Sequence, residues 1–415
     1  MRILIGTVEI CGWIKTLREE LEEQGHSVIT ISDPYHYDPS YKYDISLHNF
    51  VKDYLKFRIG INSVFNPLVI KLYSFLEKIS NHFFPQKLNN YIRNRANNYF
   101  YKNTDLFIYI WSSLTTDESD ILQFKKNGVK IITWFVGSDV RHYPTMRREF
   151  EIKKNFYEGY FKKDFNDLLS KLRMHEKYSD LIFSVPDQSS LALRPYYHLQ
   201  IPIKLEKFNF KILNNSVPIV VHIPSCPQIK GTEIIGAVIN ELKNEGLNFI
   251  YKELIDIPNR QVLEELSNAD ILVDELFLHG PGVLSFEAMS SGCAVATRYL
   301  QDSPDVFRPP VISITEENIK EKLRLLITNK ELRIDLIQRG KTYVEEYNNV
   351  KMIVKNMLSI ISTNKKVDYY PKYFREKFEP EKELVENINK MTAFVKDEPW
   401  YKENILPGVR DELKF

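Results

Sequence analysis

The stretch with the most chemistry in it runs from Asp270 to Thr297. A short apolar run ends in two adjacent carboxylates, Asp274 and Glu275. A loop His279-Gly280-Pro281-Gly282 follows, and a segment of helical spacing then carries Glu287 one turn in. A glycine loop that opens a helix presents bare backbone N–H groups and the positive end of the helix dipole, which suits a phosphate. Gly280, Gly282, Val283 and Leu284 are the backbone candidates for that contact, and Glu287 suits the hydroxyls of a ribose. The alternative for this stretch is a plain tight turn in a βαβ unit. Upstream, Lys230-Gly231 follows the β-branched run Ile219 to Ile223. An ammonium after a buried strand and at a helix start is a point charge suited to a diphosphate, although a lone lysine there is otherwise a solvated helix end.

These groups need strands to carry them. Arg2 to Thr7 is a short apolar run, followed by a turn through Gly12 and a charged helix punctuated by Leu17, Leu21 and the stop at Gly25. Strand, glycine turn and helix open a doubly wound unit. Val28 to Ile31, Leu106 to Ile110, Lys130 to Phe135 and Asp180 to Val185 supply further strands of a mainly parallel sheet. The pattern restarts with Ile219 to Ile223, a helix over Gly231 to Leu242 and a strand at Asn248 to Tyr251. Then come a helix over Val262 to Leu266, strands at Asp270 to Val273 and Cys293 to Thr297, and between them a helix near Leu284 to Ser291 stopped by Gly292. Pro, Asn and Ser collect between Pro202 and Pro218, where a hinge is expected. After Pro310 to Ile314, amphipathic helices are expected over Glu316 to Ile327 and Lys330 to Tyr347. The expected organisation is a first domain over 1–205, a second over 206–362, and a surface extension over 363–415. In an open α/β sheet, ligands bind outside the carboxyl ends of the strands, so the site is expected in a cleft between the domains.

The run Glu287-Ala288-Met289-Ser290-Ser291-Gly292-Cys293-Ala294-Val295 resembles the donor-binding signature of the GT-B retaining glycosyltransferases, especially the large family-4 group. There a Glu, seven residues and a second Glu precede Ala-Met and a small-Gly-x-x-Val strand. His279 stands where the family has its first Glu, and Pro281 removes one backbone N–H from the loop. Pro224 to Thr232 is a second match: the family's Lys-Gly is present as Lys230-Gly231, and Ser225 replaces its Arg. Gly137-Ser138-Asp139-Val140-Arg141 is similar to a family cleft motif usually preceded by His, where this chain has Val136. Gly12 falls where the family's glycine loop approaches the donor.

The resemblance implies an α/β fold of GT-B type, two Rossmann-like doubly wound domains facing a cleft. It implies transfer of a hexose-type sugar from a nucleoside-diphosphate donor to a glycan or lipid-linked glycan, with retention. Lys230 and Gly231 would hold the diphosphate, Gly280, Gly282, Val283 and Leu284 would cap it, and Glu287 would hold the ribose. Asp139, Arg141 and His279 are the candidates for sugar or acceptor contacts; the alternative for Asp139 and Arg141 is a loop ion pair. No metal and no cofactor beyond the donor substrate is implied, since the leaving phosphate itself can take the acceptor proton. The rival is a GT-B-shaped nucleotide-sugar-binding or scaffold protein without turnover, motivated by Ser225, Val136 and His279.

Across the 415 residues, Lys+Arg 56 against Asp+Glu 55 leaves a net charge of +1, so there is no overall footprint of a nucleic-acid binder. The three cysteines, Cys11, Cys226 and Cys293, form no Cys-x-x-Cys pair and read as free thiols packed as small hydrophobes, which suits a reducing cytosol. The apolar start behind Arg2 is interrupted by Glu9 and reads as a buried strand, and no apolar run reaches the roughly 20 residues of a spanning helix. A cytoplasmic protein is expected. One segment stands apart: Phe50 to Lys102 carries a net +7 with many interleaved aromatic residues. Aromatic wedges beside cations suit a peripheral contact with an anionic membrane surface. The alternative is a core of aromatics under a solvated basic face.

Overall fold

The computed structural model describes residues 1–33, 43–62, 84–111, 113–115, 119–137, 139–141, 165–185, 192–213, 215–278, 280–299, 307–363, 393 and 395–399. The strands form two sheets, and every pairing among them is parallel. The first contains β1 (Arg2–Val8), β2 (Ser27–Asp33), β3 (Ile45–Ser46), β4 (Leu106–Ile110), β5 (Lys130–Phe135), β6 (Leu181–Ser184) and β7 (Tyr197–His198), in the order β3-β2-β1-β4-β5-β6-β7. The second contains β8 (Ile219–His222), β9 (Ile250–Glu253), β10 (Ile271–Val273), β11 (Ala294–Thr297) and β12 (Ile312–Ser313), in the order β12-β11-β10-β8-β9.

The sequence dictates this arrangement through strands that are apolar at successive positions. All five residues of β4 are buried, as required of a strand covered by helices on both faces. The helix Trp13–Glu23 lays Trp13, Ile14, Leu17 and Leu21 on the sheet, and Trp13 meets Trp134 of β5 with ring centroids 5.4 Å apart. In each sheet the order reverses beside its first strand, between β1 and β4 and again between β8 and β10. A crevice opens at such a reversal because the crossovers leave on opposite faces. Lys230 follows β8, and Asp274 with Glu275 follow β10, so both groups arrive at the reversal of the second sheet.

The chain crosses between the sheets and then returns. Ile203 pairs with Asn349 in a parallel bridge, and Asn348 Nδ2 donates to the Ile201 carbonyl at 2.9 Å. Helix Val350–Thr363, a segment expected with the second domain, packs on helix Trp13–Glu23 of the first. Lys204 ties this junction to Glu19 at 2.7 Å, and Lys351 ties it to Glu206 at 2.5 Å.

Residues 63–83 of the basic segment lie outside the described residues; the described aromatics on either side of them are mostly core, the alternative reading of that segment. Phe50, Tyr54, Phe100 and Tyr101 are buried with Phe107 and Phe124 in one cluster, and Phe57 and Tyr99 pack against it. Helices Phe50–Asn62 and Phe84–Asn103 thus spend these rings on closing the outer face of the first sheet, because a helix laid over β4 must cover its apolar surface. Arg58 lies over the Tyr99 ring at 4.3 Å and Arg93 over Phe50 at 5.2 Å. Tyr91, 57% accessible, is exposed. No helix among the described residues is long and apolar enough to cross a membrane.

Candidate functional site

The site is built from the turn after β8 and the turn after β10. Pro227–Lys230 is one short helical turn with Pro at its first position, where a missing N–H costs nothing. Gly231 ends it at φ 77, a left-handed conformation. A Cβ there would fall 2.7 Å from the Leu276 Cβ, so glycine is what brings the Lys230 turn against the strand end carrying Glu275. His222 fixes the same junction from below, with Nδ1 2.8 Å from the Val273 carbonyl and Nε2 2.9 Å from Thr232 Oγ1. Burial lowers its pKa, which keeps this imidazole neutral.

Lys230 is buried, and its ammonium pairs with both Asp274 and Glu275, the latter at 3.2 Å. Asp274 is fully enclosed; its other oxygen accepts from Ser285 Oγ at 2.5 Å. Helix Val283–Ser291, which carries Ser285, begins at Gly282, and a Cβ on Gly282 would lie 3.2 Å from Glu275 Oε1. Ammonium, helix start and carboxylates therefore converge on one spot. Burial works against the charged form of Lys230, but Asp274 and Glu275 outweigh it and hold its pKa above the ordinary value. Burial pushes Glu275 up to about 7 against the pull of Lys230, and the like charge of Asp274 acts in the same direction as burial.

Glu287 lies one turn into the same helix. Burial pushes it up to about 7, opposed by a hydrogen bond from the Asn259 side chain and by the charge of Lys207 in the hinge. Across the cleft stands the turn after β1. Cys11 is exposed on this turn; desolvation by the protein around it, first, and then the charges of Glu287 and Glu9 push its thiol up to about 12, with Lys230 acting in the other direction. Gly12 caps helix Trp13–Glu23 at φ 87. Glu9, 3% accessible, lies against the helix start: it accepts from Ile14 N at 3.3 Å, while its Oε2 is buried without a hydrogen-bond partner among the described residues.

Of the expected residues, Lys230, Gly231, Gly282, Val283, Leu284 and Glu287 meet at one end of the second sheet, with Gly280 in the same loop. Asp139 is buried, and its carboxylate accepts from Val136 N at 3.1 Å and Gly137 N at 2.7 Å, so it braces its own loop. Burial pushes it up to about 6. Arg141 of that loop sends its charge to Glu275 across the cleft. His279 lies outside the described residues. Among the described residues no group of His, Cys, Asp and Glu is arranged to hold a metal ion. Cys293 packs as expected in the core, whereas Cys11 is exposed. A cavity of about 310 Å³ lined by Pro227, Gln228, Gly231, Thr232 and Phe277 borders the Lys230 turn, and neither Lys230 nor Glu287 lines it.

Sequence reasoning noted Asp274 and Glu275 without giving them a partner, and passed over Ser285, Asn259 and the role of Glu9. Two adjacent acids directly after a buried strand are the signal that a cation must be near, since an uncompensated buried charge is costly.

No family model and no curated protein matches the sequence. Solved structures do match in fold. Sucrose-phosphate synthase from Thermosynechococcus elongatus aligns at 11% identity over 87% of this chain and 98% of that one, with a TM-score of 0.53. A variant of S. aureus TarM, solved with fondaparinux, alpha-GlcNAc-glycerol and UDP, aligns at 11% identity over 87% and 100%, with a TM-score of 0.57. WaaG, a glycosyltransferase involved in lipopolysaccharide biosynthesis, aligns at 12% over 88% and 100%, with a TM-score of 0.50. The fold is GT-B: two Rossmann-like α/β domains facing a cleft.

Proposed function

We propose that this GT-B chain is a glycosyltransferase that moves a sugar from a nucleoside-diphosphate donor to a glycan or lipid-linked glycan, with retention and without a metal. The observation that carries the reading is the convergence of the buried Lys230 ammonium with the start of helix Val283–Ser291 at the strand-order reversal of the second sheet. A cation and a helix N-terminus aimed at one point stabilise the charge that develops on a departing diphosphate. Glu287 accepts the ribose hydroxyls, with Asn259 holding its carboxylate in place. The sugar C1–O bond to the diphosphate breaks, the bond to the acceptor oxygen forms on the same face, and the acceptor proton passes to the leaving phosphate. No side chain need then act as a general base. Asp139 keeps the Val136–Arg141 loop in shape on the acceptor side.

A second reading, a nucleotide-sugar-binding protein without turnover, draws on one observation: Asp274 and Glu275 already neutralise Lys230. The two are separated by titrating the protein with UDP, ADP and GDP and then incubating it with the matching sugar nucleotides and acceptor extracts. Release of nucleoside diphosphate supports transfer, and saturable binding without consumption supports the second reading.

A further inference from the structure

The carboxylates around Lys230 are not held alike. Asp274 is locked: fully buried, bonded to Ser285, and with its backbone N–H on the Ala296 carbonyl at 2.8 Å. The backbone of Glu275 is equally fixed, its N–H on Thr297 Oγ1 at 3.2 Å and its carbonyl accepting from Arg298 N at 2.6 Å. Its side chain is buried and held by its ion pair with Lys230. The Glu275 carboxylate reaches Lys230 at 3.2 Å and hangs over Gly282, the first residue of the helix start. A carboxylate and a phosphate seek the same partners, a cation and the positive end of a helix. We propose that the Glu275 carboxylate occupies the seat of the donor diphosphate in the unliganded protein and must leave Lys230 for the donor to bind.

This rests on the reading of Lys230 and the helix start as the diphosphate seat, and it deepens that reading. Among the described residues, the charged groups that face Glu275 are Lys230 from the Pro227–Lys230 turn, Asp274 beside it, and Arg141 from the loop across the cleft; the helix start at Gly282 adds its partial positive charge. A diphosphate brought into this set meets two carboxylates around one ammonium. Keeping Asp274 on Lys230 preserves the packing of Ser285, so Glu275 is the group that yields. It can do so by rotating its side chain or by taking a proton, and the burial that pushes it up to about 7 makes the proton available near neutral pH. Seat exchange then sets a threshold for ligands: a diphosphate, with two phosphoryl groups to offer, displaces Glu275 more readily than a single carboxylate or monophosphate.

The test is calorimetric titration of the full chain with inorganic pyrophosphate between pH 6 and 8, in buffers of different ionisation enthalpy. Wild type, Glu275→Gln, Glu275→Ser and Lys230→Met are compared. The ionisation of pyrophosphate is common to all four proteins and cancels in the comparison. Wild type is expected to gain affinity relative to Glu275→Gln as pH falls and to take up more protons on binding. At pH 8, Glu275→Gln and Glu275→Ser are expected to bind about tenfold tighter than wild type. If both Glu275 variants match wild type in affinity and proton uptake while Lys230→Met abolishes binding, the inference falls and the diphosphate seat stands. If Lys230→Met binds pyrophosphate as wild type does, the seat itself is misassigned and both fall.

Discussion

Each domain places a glutamate over the start of a helix at the reversal of its sheet, and the two are held by different partners. Glu9, after β1, is tied to the backbone through Ile14 N. Glu275, after β10, is gripped by the Lys230 ammonium. A carboxylate that accepts from a helix-start N–H belongs to the fold, because removing it orphans that donor at roughly 1 to 3 kcal/mol when buried. One satisfied by a cation can be exchanged for another anion. The same architecture therefore closes the helix start in the first domain and leaves it exchangeable in the second. Gly12 shapes the first turn through its φ of 87.

Removing Lys230 should break this contrast most severely. Lys230→Met leaves Asp274 and Glu275 side by side without their cation, and breaking a buried pair this way costs about 3 to 5 kcal/mol. Thermal unfolding should show the loss, and nucleoside-diphosphate affinity should drop by about a hundredfold. Glu9→Ala comes next. It should lower stability by about 2 kcal/mol, as loss of a helix-start acceptor does, and leave nucleotide affinity unchanged. A fall in affinity instead would put the first turn in the anion site after all.

Glu287→Gln tests a smaller term, about tenfold in the affinity of a nucleoside diphosphate and none in that of pyrophosphate, which has no ribose. Its pH dependence has the opposite sign to that of Glu275. Protonating Glu287 removes an acceptor, so its contribution is present above about pH 7 and lost as pH falls through that value. Titrations with nucleotide and with pyrophosphate across this range should therefore diverge in wild type and run parallel in Glu287→Gln. For stability and nucleotide affinity, the smallest effect is expected at the basic face of the first domain. With Phe50, Tyr54, Phe100 and Tyr101 in the core, the attraction of Lys52, Lys56, Arg58, Arg93 and Arg95 for anionic lipid is electrostatic, on the order of 1 kcal/mol per residue, and screened by salt. Changing these five to Gln should reduce co-sedimentation with anionic liposomes at low salt; equal sedimentation would make them a solvated face.

The strands were legible in the sequence because a parallel sheet covered on both faces demands unbroken apolar runs, and β1, β4, β5, β8 and β11 are such runs. The two-residue strands β3 and β7 were not, since pairing so short leaves no periodicity to read. Helix Val350–Thr363 escaped because its apolar face is matched to a helix more than three hundred residues upstream, a partnership local pattern does not encode. Lys230 and Glu287 were readable from their positions after a strand and inside a helix. Glu275 was not, because its role depends on the fold bringing the turns after β8 and β10 together. The aromatics between Phe50 and Lys102 carried two meanings in the sequence, and for the described ones burial separates core from surface.

The most direct test of the central claim is release of nucleoside diphosphate from a panel of sugar nucleotides, measured with acceptor extracts in the presence of EDTA. Because Lys230 and the start of helix Val283–Ser291 supply the charge for the leaving group, the wild-type chain should release nucleoside diphosphate from at least one donor at an undiminished rate in EDTA, and Lys230→Met should release none. Release that is abolished by EDTA and restored by magnesium, or that is as fast in Lys230→Met as in wild type, would contradict the account.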